Sequence, residues 1–269
     1  MVQNKKVIKI VGFLFALGIC VLLLLYIFSD KKDNAKENVV NYNTFFDNSE
    51  IIFSNSLGDI YIPTNQDYML KLFFRTNEQS EINFNNIIIK DTVIDFGISD
   101  IKIIDYSVEL DEQVKNGYAL NLYLRINTNC TNKINNIYIN NKKFNIGKLN
   151  ITSQNNDNFI IKSNVAIGSS FKKYFADFTN SSAKDIKPFL LSCGSLDVAN
   201  PTYEIKNSKE TYLDNFIINK DKNEIYTITV YFDRKKISSD IETIYVSPRF
   251  SYKLNGKTLI YYFPYSMYK

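Results

Sequence analysis

Histidine is absent from all 269 residues. That removes the commonest general base, the commonest metal ligand and every Ser-His or Cys-His nucleophile pair. Ser181-Ser182-Ala183-Lys184 has the S-x-x-K spacing of serine–lysine acyl enzymes. Such a pair needs the two residues one helical turn apart, with S-D-N and K-T-G partners that this chain does not contain. The tetrad reads as a turn between strands. Gly256-Lys257-Thr258 resembles the end of a phosphate loop, but Ser251 stands where the first glycine is required. Asn219-Lys220-Asp221-Lys222-Asn223-Glu224 alternates oxygen ligands, yet it lacks the glycine and terminal glutamate of a calcium loop.

Cys130 and Cys193 are the cysteines outside the N-terminal apolar stretch. Two separate, buried thiols are expected rather than a disulfide between them. Asn129-Cys130-Thr131, Asn150-Ile151-Thr152 and Asn180-Ser181-Ser182 fit the glycosylation acceptor at the frequency an Asn-rich chain produces by chance. Paired carboxylates for glycoside hydrolysis are assembled in space, so no pair stands out in sequence. No catalytic, cofactor-binding or metal-ligating residue is assigned, and no cofactor is expected.

The elements that must position any site are strands. Tyr118–Ile126 and Tyr226–Phe232 alternate in side-chain size and polarity and are rich in Tyr, Ile, Leu and Val. Period two over that length is the strand signal. Asn255-Gly256 sits between two such runs, the dipeptide that suits a type I′ hairpin turn. Asn116-Gly117 and Asn140-Asn141 mark two further turns. With nine glycines and five prolines in the chain, asparagine must supply much of the left-handed backbone that tight turns require.

Ile10 to Phe28 is nineteen consecutive uncharged residues, extended past Lys9 by Val7 and Ile8. About 20 residues of helix cross a hydrocarbon core of ~30 Å. The stretch is longer than a secretory h-region and is followed by Ser29-Asp30-Lys31-Lys32, a poor cleavage site. Expected are a cytoplasmic tail over 1–6, a single transmembrane signal-anchor over 7–28 and a polar stalk over 29–46. Lys5, Lys6 and Lys9 before the helix favour an inside N-terminus and an extracytoplasmic remainder. Residues 1–32 hold five lysines and one acid out of totals of 32 and 28, which leaves 27 of each sign beyond them. A balanced exported region does not imply a nucleic-acid partner.

Four short matches recur in the same order at offsets of about 97 to 108 residues. Thr76-Asn77 and Ile82 match Thr179-Asn180 and Ile186, and Phe96–Ile101 matches Cys193–Val198. Tyr118–Leu124 matches Tyr226–Phe232, and Ile137–Ile139 matches Ile244–Val246. About 100 residues is the size of one antiparallel sandwich. The expected fold is therefore all-β, with two tandem Ig-like β-sandwich domains over 47–152 and 159–269 behind the transmembrane helix; the alternative is one continuous β-domain. The Cys…Trp…Cys hallmark of true immunoglobulin domains is missing, so the likeness is one of architecture.

The function class that follows is a non-enzymatic binding or scaffolding module at the cell envelope, with a protein partner. The alternatives are an accessory subunit of a membrane transport or secretion complex and a carboxylate-dependent envelope hydrolase. The crowded Tyr261, Tyr262, Phe263, Tyr265 and Tyr268 are expected to fill the core from a last strand that ends in a frayed tail.

Overall fold

A computed structural model describes residues 50–76, 92–114, 117–155, 158–166, 173–209, 211–212, 216–221 and 223–269. The expected tail, transmembrane helix and stalk lie outside these residues. No helix among the described residues is long and apolar enough to cross a membrane. The described chain is all-β, with eighteen strands and two short 3-10 helices.

In chain order the first eight strands are β1 Ile51–Phe53, β2 Ser56–Ile62, β3 Tyr68–Thr76, β4 Ile94–Asp95, β5 Ile101–Val114, β6 Gly117–Thr128, β7 Asn132–Ile139 and β8 Lys142–Ser153. The rest are β9 Phe159–Ala166, β10 Lys173–Asn180, β11 Pro188–Ser192, β12 Thr202–Lys206, β13 Thr211–Tyr212, β14 Tyr226–Tyr231, β15 Thr243–Val246, β16 Arg249–Leu254, β17 Lys257–Tyr262 and β18 Ser266–Tyr268. The 3-10 helices are Gly194–Ala199 and Arg234–Lys236.

Sequence alternation becomes burial. Along β6 the side chains of Leu120, Leu122, Leu124 and Ile126 are fully buried, while on the other face Tyr123 and Asn127 are half-buried and Arg125 is exposed. Along β14, Tyr226, Ile228 and Val230 point into the core. These two matched segments hold equivalent places. β6 lies between β3 and β5 in the order β1-β3-β6-β5, and β14 lies between β12 and β10 in the order β13-β12-β14-β10-β9. Each is covered on both edges by antiparallel partners, which suits a strand apolar along its whole inner face.

The turns follow the asparagine reading. Every non-glycine residue with positive φ among the described residues is an asparagine: 65, 140, 141, 200 and 255. At the β16–β17 hairpin φ is 51° at Asn255 and 78° at Gly256, and at the β7–β8 hairpin it is 48° and 66° at Asn140 and Asn141. Two consecutive positive values are what a type I′ turn demands. Asn116 lies outside the described residues.

The sheet that carries the matched segment Ile137–Ile139 also carries Ile244–Val246. Its order is β18-β15-β2-β8-β7-β4, so strands from 47–152 and from 159–269 hydrogen-bond into one surface. β2 pairs in parallel with both β8 and β15, which makes the sheet mixed rather than antiparallel throughout. Strands from both expected domains thus share one sheet. Two glycines make this possible. A Cβ on Gly147 would lie 2.0 Å from the Ser56 carbonyl oxygen, and one on Gly58 would lie 2.1 Å from that of Tyr245. Both positions carry positive φ as well, and only glycine meets both demands.

The aromatic end is core. Tyr261, Phe263 and Tyr268 are buried beside Phe159, Phe178 and Phe250. The last residues are paired rather than frayed: β18 bonds to β15, Tyr268 donates to the Lys173 carbonyl at 2.7 Å, and the Lys269 ammonium sits on Asp111 and over the Phe73 ring.

Candidate functional site

The densest gathering of reactive side chains lies where β2 and β8 meet the 3-10 helix Gly194–Ala199. Asp59 leaves β2 beside Gly58, and its Oδ1 accepts from Asn150 Nδ2 of β8 at 2.9 Å. Its other oxygen accepts from the backbone N–H of Ser195. Asn150 Nδ2 also reaches Ser195 Oγ at 2.7 Å. One turn on, Asp197 closes the helix onto its own entry: Oδ2 accepts from Ser192 Oγ at 2.6 Å and Oδ1 from the Cys193 N–H at 2.7 Å. The Gly194 N–H then donates to Ser192 Oγ at 2.9 Å, and the Tyr203 hydroxyl lies 3.3 Å from Asp197 Oδ1.

Burial sets the electrostatics. It pushes the Cys193 thiol up to about 12, with the carboxylates of Asp197 and Asp59 adding to the rise and the hydrogen bond with Tyr203 opposing it. A thiol held protonated at neutral pH is a poor nucleophile and metal ligand. The Tyr203 hydroxyl is likewise raised, first by burial and then by Cys193. Ser192 and Ser195 hold fixed bonds to neighbours. A serine nucleophile needs a base able to take its proton near neutral pH, and the residue type that usually serves is missing from this sequence. What the arrangement does is bind: two carboxylates collect amide and hydroxyl donors from three chain segments.

The motifs singled out in sequence scatter. Ser182 Oγ donates to the Lys184 carbonyl at 2.7 Å and accepts from the Lys184 N–H at 3.4 Å, while the lysine ammonium reaches away to Asn255 Oδ1 at 2.7 Å. The serine–lysine spacing therefore builds a turn. Lys257 and Thr258 are exposed at the start of β17, on the far side of the hairpin from Leu254. Cys130 is exposed and Cys193 buried, and the two are not joined; the expectation of two buried thiols holds for the second alone. Asn129, Asn150 and Asn180 are spent on structure in part: Asn180 Nδ2 donates to the carbonyls of Lys184 and Ile218, and Asn129 Oδ1 accepts from the Asn65 N–H.

The loop 219–224 lines an open cleft of about 600 Å³ with Asp185, Ser208 and Lys209. Glu224 organises it, accepting from Asn207 Nδ2 at 2.6 Å and Asn219 Nδ2 at 2.8 Å. A hydrogen bond from Tyr226 is the largest influence holding its carboxyl below the usual range. Asp185 and Asp221 turn to backbone N–H groups of Lys220 and Asn223. No group of three or more metal-ligating side chains occurs among the described residues. The basic run 233–236 also folds inward at one point, since the Arg234 guanidinium donates to the carbonyls of Ile237, Ser238 and Ile241.

A different kind of surface lies on the outer face of β3, β6 and β5. Met69, Asp105, Tyr106, Ser107, Tyr123 and Arg125 line a groove of about 150 Å³. Lys71 Nζ stands 5.3 Å from the Tyr123 ring centre, and Arg125 pairs loosely with Asp105 at 3.5 Å. Register places Met69, Arg125 and Asp105, and likewise Lys71, Tyr123 and Ser107, side by side across the three strands, while Tyr106 pairs with Leu124 on the other parity. Nothing in the sequence pattern singled out this face, because its residues are the polar half of strands read for their apolar half.

No protein-family model matches this sequence, and no curated protein is significantly similar to it. Among solved structures, the cadherin-like domains 1 to 4 of zebrafish RET are similar at 10% identity, over 83% of this chain and 52% of that one, with a TM-score of 0.26. A titin fragment is similar at 7% identity over 80% and 96%, with a TM-score of 0.20. The Escherichia coli adhesin FdeC is similar at 9% identity over 79% and 62%, with a TM-score of 0.19. The chain thus spans about half the length of the first of these, and TM-scores of this size do not establish a shared fold.

Proposed function

We propose that this chain is a membrane-anchored, extracytoplasmic protein that binds a protein partner and performs no catalysis. In this reading the apolar segment 7–28 spans the cell membrane once with the N-terminus inside, and 29–46 is a stalk. The segments 47–152 and 159–269 are two Ig-like β-modules fused through the sheet they share. The observation that carries it is the groove that Met69, Tyr123 and Arg125 line on the outer face of β3 and β6. Methionine, tyrosine and arginine are enriched at protein interfaces, where they combine contact area with a polar handle. The junction of Asp59 with Ser195 supports the same reading, since its polar groups hold the fold together.

The test places a photo-crosslinking residue at Ser107 in the full-length chain within intact membranes. The expected result is capture of a discrete protein, reduced at least about tenfold by Tyr123→Ala with Arg125→Glu, the scale of one interface anchor. Capture unaltered by that pair, in a chain with unchanged circular dichroism, would overturn the assignment of this face.

A further inference from the structure

Asn255-Gly256 is exposed at the tip of the β16–β17 hairpin, where the ladder closes at Leu254 and Lys257. Nothing lies within 4 Å of where a Cβ of Gly256 would be, and the residue is exposed, so the turn tip stands open to solvent. The side-chain carbonyl of Asn255 accepts from Lys184 Nζ at 2.7 Å. That lysine is not a stray contact. Asn180 Nδ2 and Ser182 Oγ both donate to its carbonyl, at 2.9 and 2.7 Å, and its N–H donates back to Ser182 Oγ, so the turn 180–184 fixes where the ammonium starts.

We propose that Asn255 is a spontaneous modification site, converted to aspartate and isoaspartate with Lys184 assisting. As solvent base removes the Gly256 N–H proton, the amide nitrogen attacks Asn255 Cγ. The N–Cγ bond forms and the Cγ–Nδ2 bond breaks. Ammonia leaves with one added proton, and a five-membered imide remains. Water opens the imide at either carbonyl, its hydroxyl going to carbon and its proton to nitrogen. No electrons are exchanged. Closure requires the Asn255–Gly256 peptide to rotate out of its left-handed conformation, which glycine allows with little steric cost. Negative charge gathers on Oδ1 as the tetrahedral centre forms, and the ammonium already placed there stabilises it. Both groups are exposed, so screening keeps the effect small. The product sets a carboxylate opposite Lys184 and ties the turn 180–184 to the hairpin by an ion pair.

The experiment incubates the full-length chain in mildly alkaline buffer and follows each asparagine by peptide mass mapping, with aspartate and isoaspartate products separated. Asn255 is expected to convert several-fold faster than Asn140, a residue of the same turn type whose successor carries a Cβ. Lys184→Ala is expected to slow conversion about threefold, within the range of an exposed charge contact, and Lys184→Arg to keep most of the rate. Conversion at Asn140 with none at Asn255 would overturn the site. An equal or faster rate in Lys184→Ala would show the lysine to be a restraint or a bystander and overturn its role.

Discussion

Asp59 and Glu224 are both half-buried carboxylates that collect side-chain and backbone donors, and they differ in how far those donors lie along the chain. Asp59 is partly buried between β2, β8 and the helix Gly194–Ala199, and its partners lie 91 and 136 residues away in sequence. Glu224 lines an open cleft, and its partners lie 5 and 17 residues away. The chemistry is the same. The difference is what each holds: Asp59 ties the two halves of the chain together, whereas Glu224 shapes one loop. A hydrogen bond to a charged acceptor contributes more where water is excluded and where its loss separates segments that have no other reason to meet.

The sharpest way to break the comparison leaves both acids alone. Gly147→Ala puts a Cβ 2.0 Å from the Ser56 oxygen and 2.2 Å from its nitrogen, at φ 94°. Backbone on both sides offers no flexible atom to yield, so the β2–β8 pairing must open. The expected cost is at least about 3 kcal/mol, from strain at a glycine-only conformation plus overpacking. A urea midpoint lowered by less than the equivalent of about 1 kcal/mol would mean that the shared sheet is not what unites the halves. Asp59→Asn is milder. It keeps the shape but replaces an anionic acceptor facing Asn150 and Ser195 with an amide whose Nδ2 must turn toward one of these donors. A loss of about 1–3 kcal/mol is expected. Equal losses for Asp59→Asn and Glu224→Gln would erase the distinction between the two sites.

How far the sequence disclosed this fold depends on the range of the interaction. Alternation along Tyr118–Ile126 and the Asn-Gly and Asn-Asn turns are local signals, and β6 and both hairpins stand where they point. The role of Asn140, Asn141 and Asn255 as left-handed residues was legible for the same reason. The parallel pairing of β2 with β8 and β15 was not. Parallel strands need long connections, and no turn signal records which strands will meet. One trace was present: Gly58 inside a strand is the mark of close backbone approach, and Asp59 next to it is a polar residue in need of a partner. The S-x-x-K spacing was legible as a turn, because spacing specifies a helix-borne pair only if the segment is helical, and the segment does turn. The groove at Tyr123 and Arg125 was invisible because it is assembled across three strands.

The smallest expected effect is the one that depends on acidity. The Glu224 carboxyl is held below its ordinary value of 4.5 in the folded state, chiefly by the hydrogen bond from Tyr226 and further by Asn219 and Asn207. A depressed folded value means that the unfolded chain binds more protons in the acid range. The contribution of Glu224 is therefore fully present above about pH 4.5 and is lost as pH falls through the folded value. Exposure screens it, so Glu224→Gln should cost well under ~1 kcal/mol at neutral pH. The measurement is the difference in unfolding midpoint between Glu224→Gln and the parent, taken at neutral pH and again near pH 3. The difference should shrink as pH falls through the lowered folded value, below which both side chains are neutral. A gap that is constant with pH would show that Glu224 acts through shape rather than charge, and the contrast with Asp59 would then rest on the reach of their partners alone.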